Sequence, residues 1–292
     1  MASPSLSRET ILRLGQKLPT TPAVLGKLQV LLADPDSELD DICTLLKRDL
    51  ALAARILRMS NSPFYGRSEP HSSLDDAVGR VGYGEIYKLV GLTITGQLFS
   101  RDLQFYGYQA DRLWENILCC AIAMESLAPY VGINPRSAYT AGLMRSIGKI
   151  ILDRVATETR PAPKPYAPAG GEPLGSWEMS LFGSDNPAVA AILLKEWNIP
   201  ADTVAAVRQQ YRPDAQSPAD PAALALNIAG CIADDLGFGL PGEERYWESL
   251  ELKLAQAKLT EGDFELCTAE TKTAFENVRQ SFSGTSGLMA VG

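Results

Sequence analysis

Histidine is almost missing from this chain: among 292 residues there is one, His71. A histidine-built metal centre is therefore ruled out, and a Ser-His or Cys-His couple has one place to form. The five cysteines, Cys43, Cys119, Cys120, Cys231 and Cys267, are odd in number and include no C-x-x-C pair. That argues against a zinc finger and against a closed disulfide framework, whereas buried reduced thiols fit the pattern. No apolar run approaches the roughly 18–20 residues that span a bilayer. The N-terminus also lacks the basic-then-apolar layout of a signal peptide. A cytoplasmic chain without membrane contact is expected. Basic blocks are missing too: 27 Lys and Arg stand against 35 Asp and Glu, for a net charge of −8. Direct nucleic-acid binding is not expected from such a balance.

What the chain does have is apolar spacing of helical period almost throughout. Apolar residues make up 46% of it and charged residues 21%, an ordinary globular composition. Period-2 alternation, hairpin signals and a repeat of fixed length are absent, so the fold class is all-α. Thr21-Pro22 reads as an N-cap with proline at the first helical position, followed by Val24, Leu28, Leu31 and Leu32 on one face. Ser37 with Asp40 resembles a capping box ahead of Leu39, Ile42, Cys43 and Leu46. Asp49 is placed to cap the next segment, with Ala53, Ala54 and Leu57 as its apolar stripe. Further helices are expected over 73–82, 84–99, 110–131, 135–156, 175–183, 187–197, 200–211, 221–236, 244–258 and 261–280. Residues 160–173, rich in Pro, Ala and Gly, read as an irregular insertion, and 281–292 as a flexible tail.

Several ordered motifs carry a family resemblance. Leu18-Pro19 precedes Pro22-Ala23-Val24. Asp34 to Asp49 reads DPDSELDDICTLLKRD, and Leu50 to Gly66 reads LALAARILRMSNSPFYG. Asn61-Ser62-Pro63-Phe64-Tyr65-Gly66 resembles the signature of the HDOD family, the HD-related output domains of bacterial signalling proteins. Ala77 to Gly82, Trp114, the run Gly142 to Lys149, Phe182-Gly183, Glu196 to Pro200 and Ala233-Asp234 are similar to its later landmarks. The resemblance implies a compact multi-helix bundle of HD-domain type over residues 13–236. Residues 1–12 would then be an N-terminal extension, and 237–280 a helical extension packed on the bundle. In its own physical terms, Asn61-Ser62-Pro63 stops a helix, and Phe64 and Tyr65 can anchor the chain before Gly66 turns it. The stretch is read first as a structural corner and second as a partner-binding hot spot.

HD phosphohydrolases hold metal ions with histidines and aspartates, and the resemblance shows where these would stand. The histidine after the tryptophan landmark is Asn116, and the His-Asp pair is Arg145-Ser146. The histidine after Phe-Gly is Asn186, the paired histidines fall at Gln210 and Tyr211, and the late aspartate falls at Gly230. Every expected ligand is replaced, and Arg145 places a permanent positive charge where a cation would sit. No metal, no cofactor and no catalysis are therefore expected. His71 reads as an exposed loop residue. The literal G-x-G-x-x-G at Gly237–Gly242 follows a helix and not a strand, so it reads as a loop. Asp40, Asp41, Asp75 and Asp76 read as helix-start carboxylates.

The resemblance implies a non-catalytic output module in a two-component or cyclic-nucleotide-linked pathway. Its partners would be a receiver domain, a histidine kinase, a cyclase-type domain or a second copy, and the chain is either stand-alone or a fragment of a longer response regulator. The alternative is a small-molecule or anion sensor in the vacated pocket. Asn116, Arg145, Asn186 and Gln210 would have to converge for either pocket. Arg145 would then meet a bound anion or pair internally, with Glu115 and Asp185 as candidates.

Overall fold

The run Gly142 to Lys149, expected to lie inside one long helix, is where the chain breaks. A computed structural model describes residues 6–19, 22–61, 71, 73–159, 162–212 and 219–283. In it, α8 (Pro135–Met144) ends at Arg145 and α9 (Ile147–Glu158) restarts after Ser146. The reason is packing at Gly148: a Cβ there would lie 2.0 Å from the backbone oxygen of Asn186. Only glycine allows α9 and α11 (Asn186–Glu196) to approach so closely, and a straight continuation of α8 would not bring α9 onto α11.

The elements are helical throughout, and the one β feature among the described residues is an isolated bridge between Leu103 and Tyr108. The axis of the bundle is α7 (Ala110–Val131), which is buried along most of its length and packs on α8, on α13 (Pro221–Asp235) and on α15 (Glu261–Ser283). On one side, α12 (Ala201–Gln209) bridges α8, α11 and α13. On the other, α2 (Ala23–Ala33), α3 (Leu39–Lys47), α4 (Leu50–Ser60) and α5 (Leu74–Val81) form a smaller group, joined to α8 chiefly through α6 (Tyr83–Leu98). A helix α1 (Arg8–Gly15) buries Ile11 and Leu14 and packs on α9 and α11, so a boundary at residue 13 cuts through a helix that belongs to the bundle.

Local details depart from the sequence reading in instructive ways. The cap of α3 is Glu38 and not Ser37, with Asp41 Oδ2 accepting from Glu38 N at 2.9 Å; one residue of slip moves the box onto two carboxylates. Asp49 does cap α4, accepting from Leu52 N at 3.0 Å. The buried face of α4 is Leu52, Ile56, Met59 and Ser60, while Ala54 is exposed and Ala53 and Leu57 are half-buried. Small alanines did not define the face because the larger Leu52, Ile56 and Met59 bury more apolar area. Pro22 stands at the cap position of α2 and not inside it, and Thr21 lies outside the described residues. The expected helix over 244–258 is a 3-10 turn, Glu244–Trp247, followed by α14 (Leu250–Ala257). No helix among the described residues is long and apolar enough to cross a membrane.

The Gly148 contact makes a stability prediction. Gly148→Ala should destabilise the fold by about 3 kcal/mol or more, the upper end of overpacking costs. Gly84→Ala, at an open position in α6 where a Cβ meets nothing within 4 Å, should be neutral or slightly stabilising. Denaturant midpoints for the two variants check this, and equal midpoints would contradict the packing account.

Candidate functional site

The break between α8 and α9 aims Arg145 into the bundle, where it is completely buried. Its Nη1 donates to Asn116 Oδ1 at 2.6 Å, its Nε to Gln210 Oε1 at 3.2 Å and its Nη2 to Glu243 Oε2 at 2.8 Å. Its own carbonyl accepts from Gln210 Nε2 at 2.9 Å, and the guanidinium lies over the Trp247 ring, 5.5 Å from the centroid. One turn into α9, Lys149 Nζ donates to Glu243 Oε1 and faces the rings of Tyr108 and Tyr211. Tyr211 Oη donates to the same oxygen at 2.5 Å. Two cations and a phenol thus converge on one carboxylate, with all of Arg145, Lys149 and Glu243 fully buried.

The charges of the cluster shift one another's proton affinities. Burial alone would raise the Glu243 carboxyl, but Arg145 and Lys149 overcome that and hold it down at about 2. Burial pushes the Lys149 ammonium below its ordinary value, with Glu243 pulling the other way. For Arg145 burial also disfavours the charge, yet Glu243, Cys120 and Tyr211 together outweigh it and raise the guanidinium further. The arrangement is a charged, hydrogen-bonded ion cluster in low dielectric, the case where removing one partner is far more costly than removing both.

A second layer lies beside the first. Glu178 on α10 (Leu174–Phe182) is fully buried, accepting from Tyr106 Oη at 2.7 Å, from Asn186 N at 2.8 Å and from Asn186 Nδ2 at 2.9 Å. Burial raises its carboxyl from 4.5 to about 7, even though the Asn186 amide and the Lys149 charge lower it.

Three of the four residues expected to meet, Asn116, Arg145 and Gln210, share direct hydrogen bonds; Asn186 does not join them and serves Glu178 instead. Tyr211 enters through Glu243, and Gly230 through Trp247: a Cβ at Gly230 would lie 2.4 Å from the Trp247 ring, so the indole takes the space a side chain there would need. Ser146 is buried with no hydrogen-bond partner for its Oγ among the described residues. Arg145 pairs with neither Glu115 nor Asp185. Glu115 faces Arg279 at 3.6 Å, and Asp185 caps α11 and faces Arg208. His71 is buried and not an exposed loop residue, its Nδ1 3.6 Å from Asp76 Oδ2. Asn61 holds the His71 backbone on both sides, accepting from its N at 2.6 Å and donating to its O at 3.0 Å. Ser62, Pro63, Phe64, Tyr65 and Gly66 lie outside the described residues. The sequence reading missed Glu243, Lys149, Glu178 and Trp247. Lone charges within apolar stretches, Lys149 in IGKIIL and Glu178 in LGSWEMSLF, were the available signal.

Comparison with known proteins agrees with this architecture. The profile of the family described as "HDOD domain" matches residues 18–213. This chain belongs to the HDOD family. An HDOD domain protein of unknown function from Geobacter sulfurreducens shares the fold, with a TM-score of 0.68 and 21% identity, covering 98% of this chain and all of that one. A Shewanella amazonensis SB2B protein that bears a provisional phosphohydrolase name is 25% identical with a TM-score of 0.67, covering 93% of this chain and 97% of that one. An uncharacterized protein of Treponema pallidum (strain Nichols) is 23% identical over 193 residues, 65% of this chain. The match takes in only 37% of that relative's length.

The HD fold implies divalent metal, and the donor set of this HDOD protein does not fit one. Neutral amides at Asn116 and Gln210 are weak ligands, the guanidinium cannot be deprotonated, and the one carboxylate at hand, Glu243, is already shared by two cations and a phenol. Among the described residues no three His, Cys, Asp or Glu side chains cluster so as to hold an ion.

Two predictions follow from the two carboxyls. Glu243→Ala should cost about 3–5 kcal/mol, the loss expected when a buried ion pair is broken on one side; the double variant Arg145→Met/Glu243→Ala should recover part of it. For Glu178, the folded-state value lies above the ordinary one, so the unfolded chain releases the proton first and stability falls as pH rises from about 4.5 to about 7. Glu178→Gln should remove that falling limb, so the wild type should lose stability relative to the variant across the window. Denaturant unfolding at a series of pH values reads both, and parallel curves would contradict the assignment to Glu178.

Proposed function

We propose that this HDOD protein is a non-catalytic signalling module that acts by binding other proteins, in a two-component or cyclic-nucleotide-linked pathway. The observation that carries the reading is the content of the former metal position: Arg145, bound to Asn116, Gln210 and Glu243. Metal-assisted hydrolysis needs an ion that activates water and neutralises phosphate charge, and a guanidinium committed to a buried carboxylate supplies neither a bound hydroxide nor an open coordination position. The provisional phosphohydrolase name of the Shewanella relative speaks for hydrolysis, but the residues that would do it are replaced in this chain. Signalling comes with the family, and so do the partner classes: a receiver domain, a histidine kinase, a cyclase-type domain or a second copy, met in the cytoplasm without nucleic acid or membrane. A sensor for a small anion is the second reading, favoured by the two buried cations. It is the weaker one, since the Glu243 carboxylate already occupies the position between them from within.

The test is capture by the tagged full chain from its native host, with cross-linking and mass spectrometry. A receiver, kinase or cyclase-type protein should be enriched reproducibly. The same preparation, supplied with manganese or magnesium, should turn over neither phosphodiesters nor nucleotides. Metal-stimulated hydrolysis that scales with the amount of chain would overturn the non-catalytic reading.

A further inference from the structure

The segment that delivers Glu243 is bound to the bundle the way a peptide is bound to a receptor. After α13 the chain turns at Gly237, with φ +84°, and runs irregularly to the 3-10 turn that ends at Trp247. Its carbonyls are taken one after another by side chains of the bundle. Asn116 Nδ2 donates to Phe238 O at 2.8 Å, Arg112 Nη2 to Gly239 O at 3.0 Å and Tyr108 Oη to Pro241 O at 2.7 Å. Its buried side chains are Leu240, Glu243 and Trp247, while Pro241, Glu244 and Arg245 face out. Backbone held by side-chain donors, with anchors at intervals, is the general form of linear-segment recognition, and paired cations gripping one carboxylate is its acidic-motif variety.

The receptor and the ligand also divide along the chain. Tyr108, Arg112, Asn116, Arg145, Lys149 and Tyr211 all lie within residues 18–213, the part the HDOD profile matches, while the strap 237–247 lies beyond it. Beyond the groove the strap is held by Trp247 against Gly230, by Tyr246, which stacks on Tyr211 and accepts from Gly175 N, and by Phe238 against Phe275. It begins at one positive-φ glycine, Gly237, carries a second, Gly242, beside Glu243, and its residues help to line two surface clefts. One is lined by Gln109, Arg112, Asp234 and Pro241, the other by Glu178, Arg208, Tyr211 and Tyr246. A competing segment can thus approach from either side of it.

We propose that the bundle carries a recognition groove for a glutamate-bearing linear segment, filled in cis by residues 237–247 as a displaceable strap, and that the partner it takes in trans is an acidic segment of another protein. This rests on the protein-binding reading above and names the chemistry of the partner. A tethered strap acts at an effective concentration of order millimolar, so a partner segment must bind well or arrive with a second contact to displace it. An exchanged segment leaves Arg145 and Lys149 paired once it is seated, which avoids the cost of an isolated buried charge in the exchanged state.

The probe is a fluorescein-labelled peptide spanning Gly237–Glu248, titrated into the full chain and followed by anisotropy. Glu243→Ala should bind it saturably and at least tenfold more tightly than the wild type, whose strap competes. The same peptide carrying Glu243→Gln should bind at least tenfold more weakly, and the double variant Arg145→Met/Glu243→Ala should not bind it. If Glu243→Ala does not fold, Glu243→Gln, which keeps volume and most hydrogen bonds, takes its place. Failure of both to fold, absence of binding, or binding indifferent to the peptide's glutamate would each overturn the proposal and leave the cluster purely structural. Displacement of the bound peptide by millimolar acetate would overturn it in favour of a small-anion site. None of these failures touches the protein-binding reading, which capture of a signalling partner tests separately.

Discussion

A guanidinium that cannot lose its proton, placed where solvent does not reach, obliges the rest of the chain to bring it an anion. Arg145 is that group, and the region after α13 is organised around answering it. The chain leaves α13, crosses over the end of α7 with its carbonyls held by Asn116, Arg112 and Tyr108, and lowers Glu243 between Arg145 and Lys149. Trp247 then closes the notch at Gly230. Once the carboxylate is in place, α14 and α15 follow, and α15 packs along α7 with Phe275 against Phe238. The far end of the molecule is therefore tied to one charge near its middle.

Mechanically, this cluster does what a metal does for an HD bundle: it ties several helices to a single point. The fork of Arg145 reaches α7 through Asn116, the end of α12 through Gln210 and the strap through Glu243. Guanidinium donors have fixed directions and match a carboxylate geometrically, so they specify one arrangement of the helices as ligand geometry would. A Lewis acid presents an open position to a reacting group, whereas here each strong donor of the fork is spent on an internal acceptor and holds helices together.

The parts of this arrangement that were legible in the sequence are those with local or ordered signals. Helical spacing revealed the elements, and motif spacing put Asn116, Arg145 and Gln210 at equivalent depths. The break at Arg145-Ser146 was not legible, since 135–156 has unbroken apolar spacing; it arises from the close approach of Gly148 to the backbone of Asn186, a tertiary fact. Glu243 escaped for a related reason. It lies 98 positions from Arg145, in a Gly- and Pro-rich stretch whose composition reads as surface loop, and the nearer Glu115 and Asp185 were equally acceptable on charge alone. His71 was misread because a polar local sequence says nothing about the Asn61 side chain that folds over its backbone.

The two buried carboxyls are linked through Lys149. Its ammonium is bonded to Glu243 and also lowers the proton affinity of Glu178, which stands at about 7. While Glu243 is seated, its carboxylate offsets part of the Lys149 charge, and the Glu178 carboxyl stands at about 7. When Glu243 leaves without a replacement, the ammonium's remaining acidic neighbour is Glu178, whose ionised form is then favoured. By reciprocity, ionising Glu178 makes Glu243 easier to release. Seating of the strap and protonation at Glu178 are thus coupled through one side chain. An incoming acidic segment would leave Glu178 unchanged, because it restores the carboxylate as it removes the strap, so the proton state of the second layer distinguishes an empty groove from an exchanged one.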